Sequence, residues 1–371
     1  MTDWFKIQSN TTKTHKKFDF LCNVQYTSER NLFASWVEEF HIKDGVNKTI
    51  NQFQETFHSM FWEVYLNKVF KEAGFVIDNS VVSPDFSLEK SNTKIFVEAV
   101  VSNIAEAERK ECERTLDEIY GENDHYEILN ESITRMYNSF CTKLERFENH
   151  YSNNEAVLNS PFVLAMGDYA QINYGQSRYY PLLALLYGAY YDKDDKLDEL
   201  KILCNDSFDK EYKYLKFHKK KNGANLELGL FNDEKFKHVA AIIYSCTTTL
   251  GKLSSLSEDH LPLEKCIVLD RELPCEEYQI LRYSGQQSDE TLYDGIFIYH
   301  NPYATHKLPD DFLNNDGVVH IRYNQENEPA ISINFSQKKG VLNRRQVSMK
   351  GTERVLLTNF EDFNFVPMAR T

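Results

Sequence analysis

Two carboxylates are the residues best placed for chemistry. Asp85 follows Ser83-Pro84, and Glu98 lies thirteen positions later within Ile95-Phe96-Val97-Glu98-Ala99-Val100, a run dense in apolar and β-branched residues. A charge in the middle of such a strand costs several kcal/mol unless something pairs with it. Strand alternation puts Phe96, Glu98 and Val100 on one face and Ile95, Val97 and Ala99 on the other. The interval is long enough for a hairpin, which would bring Asp85 to the same end of the sheet as Glu98. Two converging carboxylates, completed by carbonyls and waters, form the oxygen shell that Mg²⁺ requires, with Mn²⁺ as a substitute. Such a cation polarises a phosphodiester and acidifies water. The same pair also suits an Asp capping a turn and a Glu on an exposed edge.

The surrounding elements must position this pair. Residues 28 to 40 read as a short helix. A longer one is expected from about 50 to 72, with Phe53, Phe57, Met60, Phe61, Val64 and Val69 as its buried stripe and Gly74 at its stop. Phe75 to Val82 begin an extended segment, and Lys94 to Ser102 form a strand. Two helices are predicted at 104 to 120 and 130 to 149, the second with Ile133, Met136, Phe140, Leu144 and Phe147 at helical spacing. Residues 161 to 166 read as a buried strand and 181 to 190 as an apolar helix. This order predicts an α/β fold with a central mixed sheet flanked by helices. The expected organisation is an α/β domain over 28–256 and a β-rich C-terminal extension or subdomain over 260–371.

Pro84-Asp85 followed by Val97-Glu98-Ala99-Val100 resembles the core of the PD-(D/E)xK nuclease superfamily, the restriction-endonuclease-like fold. The helix Phe61-Trp62-Glu63-Val64-Tyr65-Leu66, then Gly74-Phe75, Pro84-Asp85-Phe86 and Val97-Glu98-Ala99, and a later lysine-bearing helix before Pro161-Phe162-Val163 extend the likeness to bacterial proteins grouped with this fold. It covers about residues 50 to 190. The resemblance implies a Mg²⁺-dependent nuclease acting on DNA, in restriction, defence or repair, with RNA left open as a substrate. Asp85 and Glu98 would be metal ligands, and Glu63 would bind a second metal or a metal-bound water.

One position departs from the pattern. The family's lysine two residues after the glutamate would fall at 100, where this chain has Val100. In the family that lysine can migrate to a neighbouring helix, which makes Lys143, three residues from Phe140 and beside the apolar stripe, the expected substitute. Lys110, Arg109 and Lys94 are weaker substitutes, and Asn103 is an auxiliary candidate for orienting water. Loss of the strand lysine also leaves a second reading, an inactive nuclease-fold protein serving as an interaction or regulatory module.

Composition bounds these readings. The 371 residues carry a net charge of −14, which argues against a whole-surface nucleic-acid binder. Basic clusters at Lys13–Lys17, Lys213–Lys221 and Lys338–Arg345 leave room for local contact. Seven cysteines lie scattered without paired spacing, and the N-terminus lacks an apolar signal region, so a reducing cytoplasm is the expected setting. No apolar run reaches the length of a membrane span. A second copy of the chain or another protein stays open as a partner. Asp168, His238 and His300 are read as turn, packing or capping residues, and no Walker, nucleophile-elbow or zinc-protease motif is present.

Overall fold

The computed structural model describes residues 3–43, 45–104, 125–151, 153–171, 177–190, 213–220, 223–257, 264–273, 279–284, 287–324, 330–335 and 339–350. The helices are α1 (Lys16–Cys22), α2 (Thr27–Glu38), α3 (Val46–Glu55), α4 (His58–Glu72), α5 (His125–His150), α6 (Glu155–Leu158), α7 (Tyr180–Tyr187) and α8 (Leu250–Leu256). The first strands are β1 (Val76–Ile77), β2 (Phe86–Lys90), β3 (Thr93–Asn103) and β4 (Phe162–Tyr169). Next come β5 (Ala189–Tyr190), β6 (Lys213–Tyr214), β7 (Phe217–Lys219), β8 (Asn225–Glu227) and β9 (Ala241–Ser245). The last are β10 (Glu264–Glu272), β11 (Gln279–Ser284), β12 (Ile296–His300), β13 (Val318–Asn324), β14 (Ala330–Asn334) and β15 (Val341–Lys350).

The main sheet has the order β1-β2-β3-β4-β9-β12-β13-β14. Its left half is a meander of β1, β2 and β3, antiparallel throughout. Strands β3, β4 and β9 then run parallel, with β9–β12 antiparallel and β12–β13 parallel. Helices cover both faces, so the mixed α/β architecture expected from the sequence is present. Alternation along β3 assigns the layers. Phe96 joins Ile133, Met136, Phe140, Leu144 and Leu164 on one face. On the other, Ile95, Val97 and Ala99 meet Phe61, Val64 and Tyr65 of α4. The 3- and 4-residue spacing of the α5 stripe is what turns one side of that 26-residue helix to the sheet.

Two expectations need correction. The single helix over 50 to 72 is two, α3 and α4. Phe57 has φ of 54°, outside the right-handed helical region, and the N–H groups of Thr56 and Phe57 both donate to Gln52 O, which closes α3 there. The extended segment at 75 to 82 is a strand only at Val76–Ile77. The C-terminal part serves two sheets. Strands β12, β13 and β14 continue the main sheet, whereas β11-β10-β15 form a separate three-stranded one. The helix expected over 104 to 120 lies outside the described residues.

Candidate functional site

The turn before β2 and the middle of β3 build the site. In the antiparallel register Phe86 pairs with Val97, so one further step sets Asp85 opposite Glu98. Directly opposed residues of an antiparallel pair project to the same face. That face is the α5 side. The Asp85 carboxylate accepts a hydrogen bond at Oδ2 from the Ala99 N–H, at 2.7 Å, which ties the turn to β3. Lys43, between α2 and α3, holds the turn from outside, its Nζ donating to Val81 O and Asp85 O, both at 2.7 Å.

Glu98 is about 1% exposed and is held from both sides. Lys143 Nζ on α5 donates to Oε1 at 2.8 Å. The Tyr151 hydroxyl, just past the end of α5, donates to Oε2 at 2.9 Å. Ser83 Oγ lies 2.7 Å from the same phenol oxygen. Because the tyrosine proton goes to the Glu98 carboxylate, Ser83 is the donor in that contact. The result is a chain from Ser83 through Tyr151 to Glu98, with Lys143 on the opposite oxygen.

Burial pushes the Asp85 carboxyl up, and the negative charge of Glu98 pushes it further, to about 6. Lys143, the Ala99 N–H and Lys43 oppose the rise without cancelling it. Two carboxylates sharing a face with one ammonium retain an excess of negative charge that an added cation would relieve. The donors are oxygen atoms, and among the described residues two side chains, Asp85 and Glu98, supply them. That suits a hard divalent ion that accepts one or two carboxylates and keeps its waters, and does not suit an all-protein cage.

Among the described residues no group of three or more His, Cys, Asp or Glu side chains is gathered to hold a metal. Glu63 therefore does not complete a three-carboxylate cluster with Asp85 and Glu98. Its helix, α4, packs on the Ile95, Val97 and Ala99 face, away from the face of Glu98. Asn103 is also displaced from its expected role. It is five residues from Glu98, an odd number, so it points to the α4 face, where its Oδ1 lies 3.0 Å from Nδ1 of His58. Val100 stands on the Glu98 face, partly buried against the α5-side core. Lys94 sits at the far end of β3, 3.4 Å from Asp78. Lys110 and Arg109 lie outside the described residues.

Sequence reasoning missed Tyr151, Ser83 and Lys43. Tyr151 carried a signal, because it continues the α5 stripe by the same spacing, 140, 144, 147, 151, and ends it with a polar tip. The secondary candidates are structural. Asp168 is fully buried, accepts from Ala170 N and from the Tyr244 hydroxyl, and burial raises its carboxyl to about 6. The His238 ring stacks on Phe147 with centroids 4.5 Å apart. His300 Nε2 lies 2.9 Å from His320 Nδ1, and burial lowers the two rings to about 3 and about 4. Among the described residues no helix is long and apolar enough to cross a membrane.

Set against known protein families, curated proteins and solved structures, the chain matches none of them.

Proposed function

We propose that this chain is a Mg²⁺-dependent nuclease that hydrolyses DNA phosphodiester bonds, built on a restriction-endonuclease-like core. The observation that carries the reading is the meeting of Asp85, Glu98 and Lys143. Lys143 comes from the helix after the strand, and its ammonium reaches Glu98 at 2.8 Å. It thereby supplies the positive charge that Val100 cannot. The order α4, then the antiparallel β1, β2 and β3, then α5, then β4 parallel to β3, also supports the resemblance noted in the sequence.

In this reading Asp85 and Glu98 hold the metal, which supplies Lewis acidity and a more acidic water when bound. Lys143 orients Glu98 and offsets negative charge developing on the phosphate. Tyr151 fixes the second oxygen of Glu98, so the carboxylate enters the reaction in one orientation. Asp85 must lose its proton to serve as a ligand, which ties metal binding to pH.

One observation favours a second reading. Both Glu98 oxygens already have partners, and among the described residues no third carboxylate joins the pair. That is also the arrangement of an inactive scaffold whose former ligands are satisfied internally. A panel of plasmid, single-stranded DNA and RNA with Mg²⁺ or Mn²⁺ separates the two. Cleavage abolished by Asp85→Ala and by Glu98→Ala is the expected result. A wild-type protein inert across every metal and substrate would leave the interaction module as the function.

A further inference from the structure

A concentration of positive charge outside the site lies on a short hairpin and the run before it. From Lys213 to Lys220 the chain reads KYLKFHKK, four lysines interleaved with Tyr214, Phe217 and His218, in a molecule of net charge −14. Strands β7 and β8 pair here in the register Phe217↔Glu227, His218↔Leu226 and Lys219↔Asn225. Alternation sends His218 and Leu226 inward. The His218 ring stacks against Tyr190, and Leu226 is buried in the core. Phe217 and Lys219 consequently face outward.

An apolar ring facing water calls for explanation. Phe217 is 60% exposed, the preceding Tyr214 and Leu215 are over a third exposed, and Lys213, Lys216 and Lys219 are exposed beside them. Among the described residues of the hairpin the acidic side chain on the outward face, Glu227, is paired with Lys235 at 2.5 Å. The patch is fixed from below. Tyr214 packs on Tyr323 with centroids 6.2 Å apart, and Lys220 Nζ lies 5.2 Å over the Tyr137 ring on α5. A preformed, basic face with an exposed ring matches what an unpaired nucleic-acid strand requires: ammonium groups for phosphates and a flat apolar surface for a base. A duplex keeps its bases stacked and offers no base face to Phe217.

We propose that the β7–β8 hairpin and the preceding Lys213–Lys216 run form a docking surface for single-stranded DNA. The choice of DNA rests on the nuclease reading above; the single-strandedness rests on Phe217 alone. The hairpin touches α5 at Tyr137, six residues and about 9 Å along the axis from Lys143. Tyr137 and Lys143 flank the buried stripe on opposite sides. A strand that spans both crosses the solvent side of α5, over Asn138 and Thr142, a path of roughly 20 Å around a helix about 10 Å across. Contact with both therefore requires several nucleotides, whereas a dinucleotide can occupy only one.

Fluorescence anisotropy with a labelled mixed-sequence 15-nucleotide DNA in EDTA, where cleavage cannot proceed, tests this directly. Phe217→Ala is expected to weaken binding roughly five- to hundredfold, the loss of one stacked base. Lys216→Gln with Lys219→Gln is expected to lower the slope of log K against log salt by about 1.4, two phosphate contacts on a single strand. The duplex of the same sequence is expected to bind at least tenfold more weakly. Equal binding of duplex and single strand, or indifference to Phe217→Ala with an unchanged melting temperature, overturns the proposal. Equal binding of the matching RNA overturns the choice of DNA. Binding that depends on the hairpin in a protein that never cleaves leaves this surface standing and removes the nuclease reading. Cleavage without hairpin dependence does the reverse.

Discussion

Asp85 sits where folding and chemistry pull in opposite directions. Its carboxyl is raised to about 6 by burial and by Glu98. A carboxyl whose folded value exceeds the unfolded one, near 3.9, binds its proton more tightly in the native state, so stability falls as pH rises between about 4 and 6. Above pH 6 the full cost is present, up to about 3 kcal/mol. Asp85→Asn keeps an oxygen to accept from the Ala99 N–H and removes the charge. It is expected to melt higher than the wild type at pH 7 and to lose that advantage as pH falls to 4. Saturating Mg²⁺ is expected to raise the melting temperature of the wild type and leave the variant unmoved, because only a native-state ligand site couples the ion to folding. Calorimetry across pH 4 to 8, with and without Mg²⁺, measures both effects. A variant no more stable than the wild type at pH 7 would mean that Asp85 carries no such burden.

At the scale of elements, the site is a hairpin read by a helix. Strand β3 brings Glu98, the turn before β2 brings Asp85, and α5 brings Lys143. If the lysine matters as a charge near Glu98 and not as part of α5, it can be moved. Lys143→Met is expected to lower cleavage by about a hundredfold or more, the scale of losing one preorganised electrostatic contact. Val100→Lys in that background is expected to restore part of the rate, since position 100 shares the face of Glu98 and a lysine stem can lie along the apolar surface there. Single-turnover cleavage rates of the single and double variants decide it, and a double variant as slow as Lys143→Met would tie the function to α5 itself. Much of this arrangement was legible beforehand. The period of two in β3 assigns the Glu98 face, and the α5 spacing places Lys143 at the border of the buried stripe. The same parity excludes Asn103 from that face, which the proximity of Asn103 to the strand end obscured. The break at Phe57 was not legible, because an apolar stripe at helical spacing runs straight through it and only the backbone angle ends α3. Glu63 fits the family order in sequence, yet its place relative to the sheet depends on which face α4 covers, and that is a long-range fact.

At the scale of the whole molecule, charges are buried between the main sheet and the three-stranded one. The three-stranded sheet has a small apolar cluster of its own, centred on Ile267, Leu269, Leu342 and Val347. Against the main body it sets ions. Glu290 is paired with Arg345 of β15 and, at 2.9 Å, with Lys252 of α8. Asp294 accepts from Arg271 of β10 at 2.9 Å and from Lys339 at 2.6 Å. Lys252 Nζ also donates to Asp294 O at 2.6 Å. None of this pairing was readable in the sequence, since Lys252, Glu290 and Arg345 lie tens of residues apart and no local period links them. Burial alone would raise both carboxyls. Arg345 and Lys252 instead hold Glu290 below the usual range, and Arg271, Lys252 and Lys339 do the same for Asp294. A depressed folded value means stabilisation that is complete above the unfolded value, near 4, and is lost as pH drops further. Removing Glu290 takes from Arg345 and Lys252 the carboxylate that pairs with both, in an interior that water does not reach. Glu290→Gln is therefore expected to cost about 3 to 5 kcal/mol at pH 7. The exposed pair of Lys237 with Glu234 is the control, with Lys237→Met expected to change stability by less than about 1 kcal/mol. Urea unfolding at pH 7 and at pH 3.5 should show the Glu290→Gln deficit narrowing in acid, as the wild type loses the same contribution by protonation. A deficit below about 1 kcal/mol at pH 7 would mean that the sheets are joined by packing, and that the buried ions balance their own desolvation.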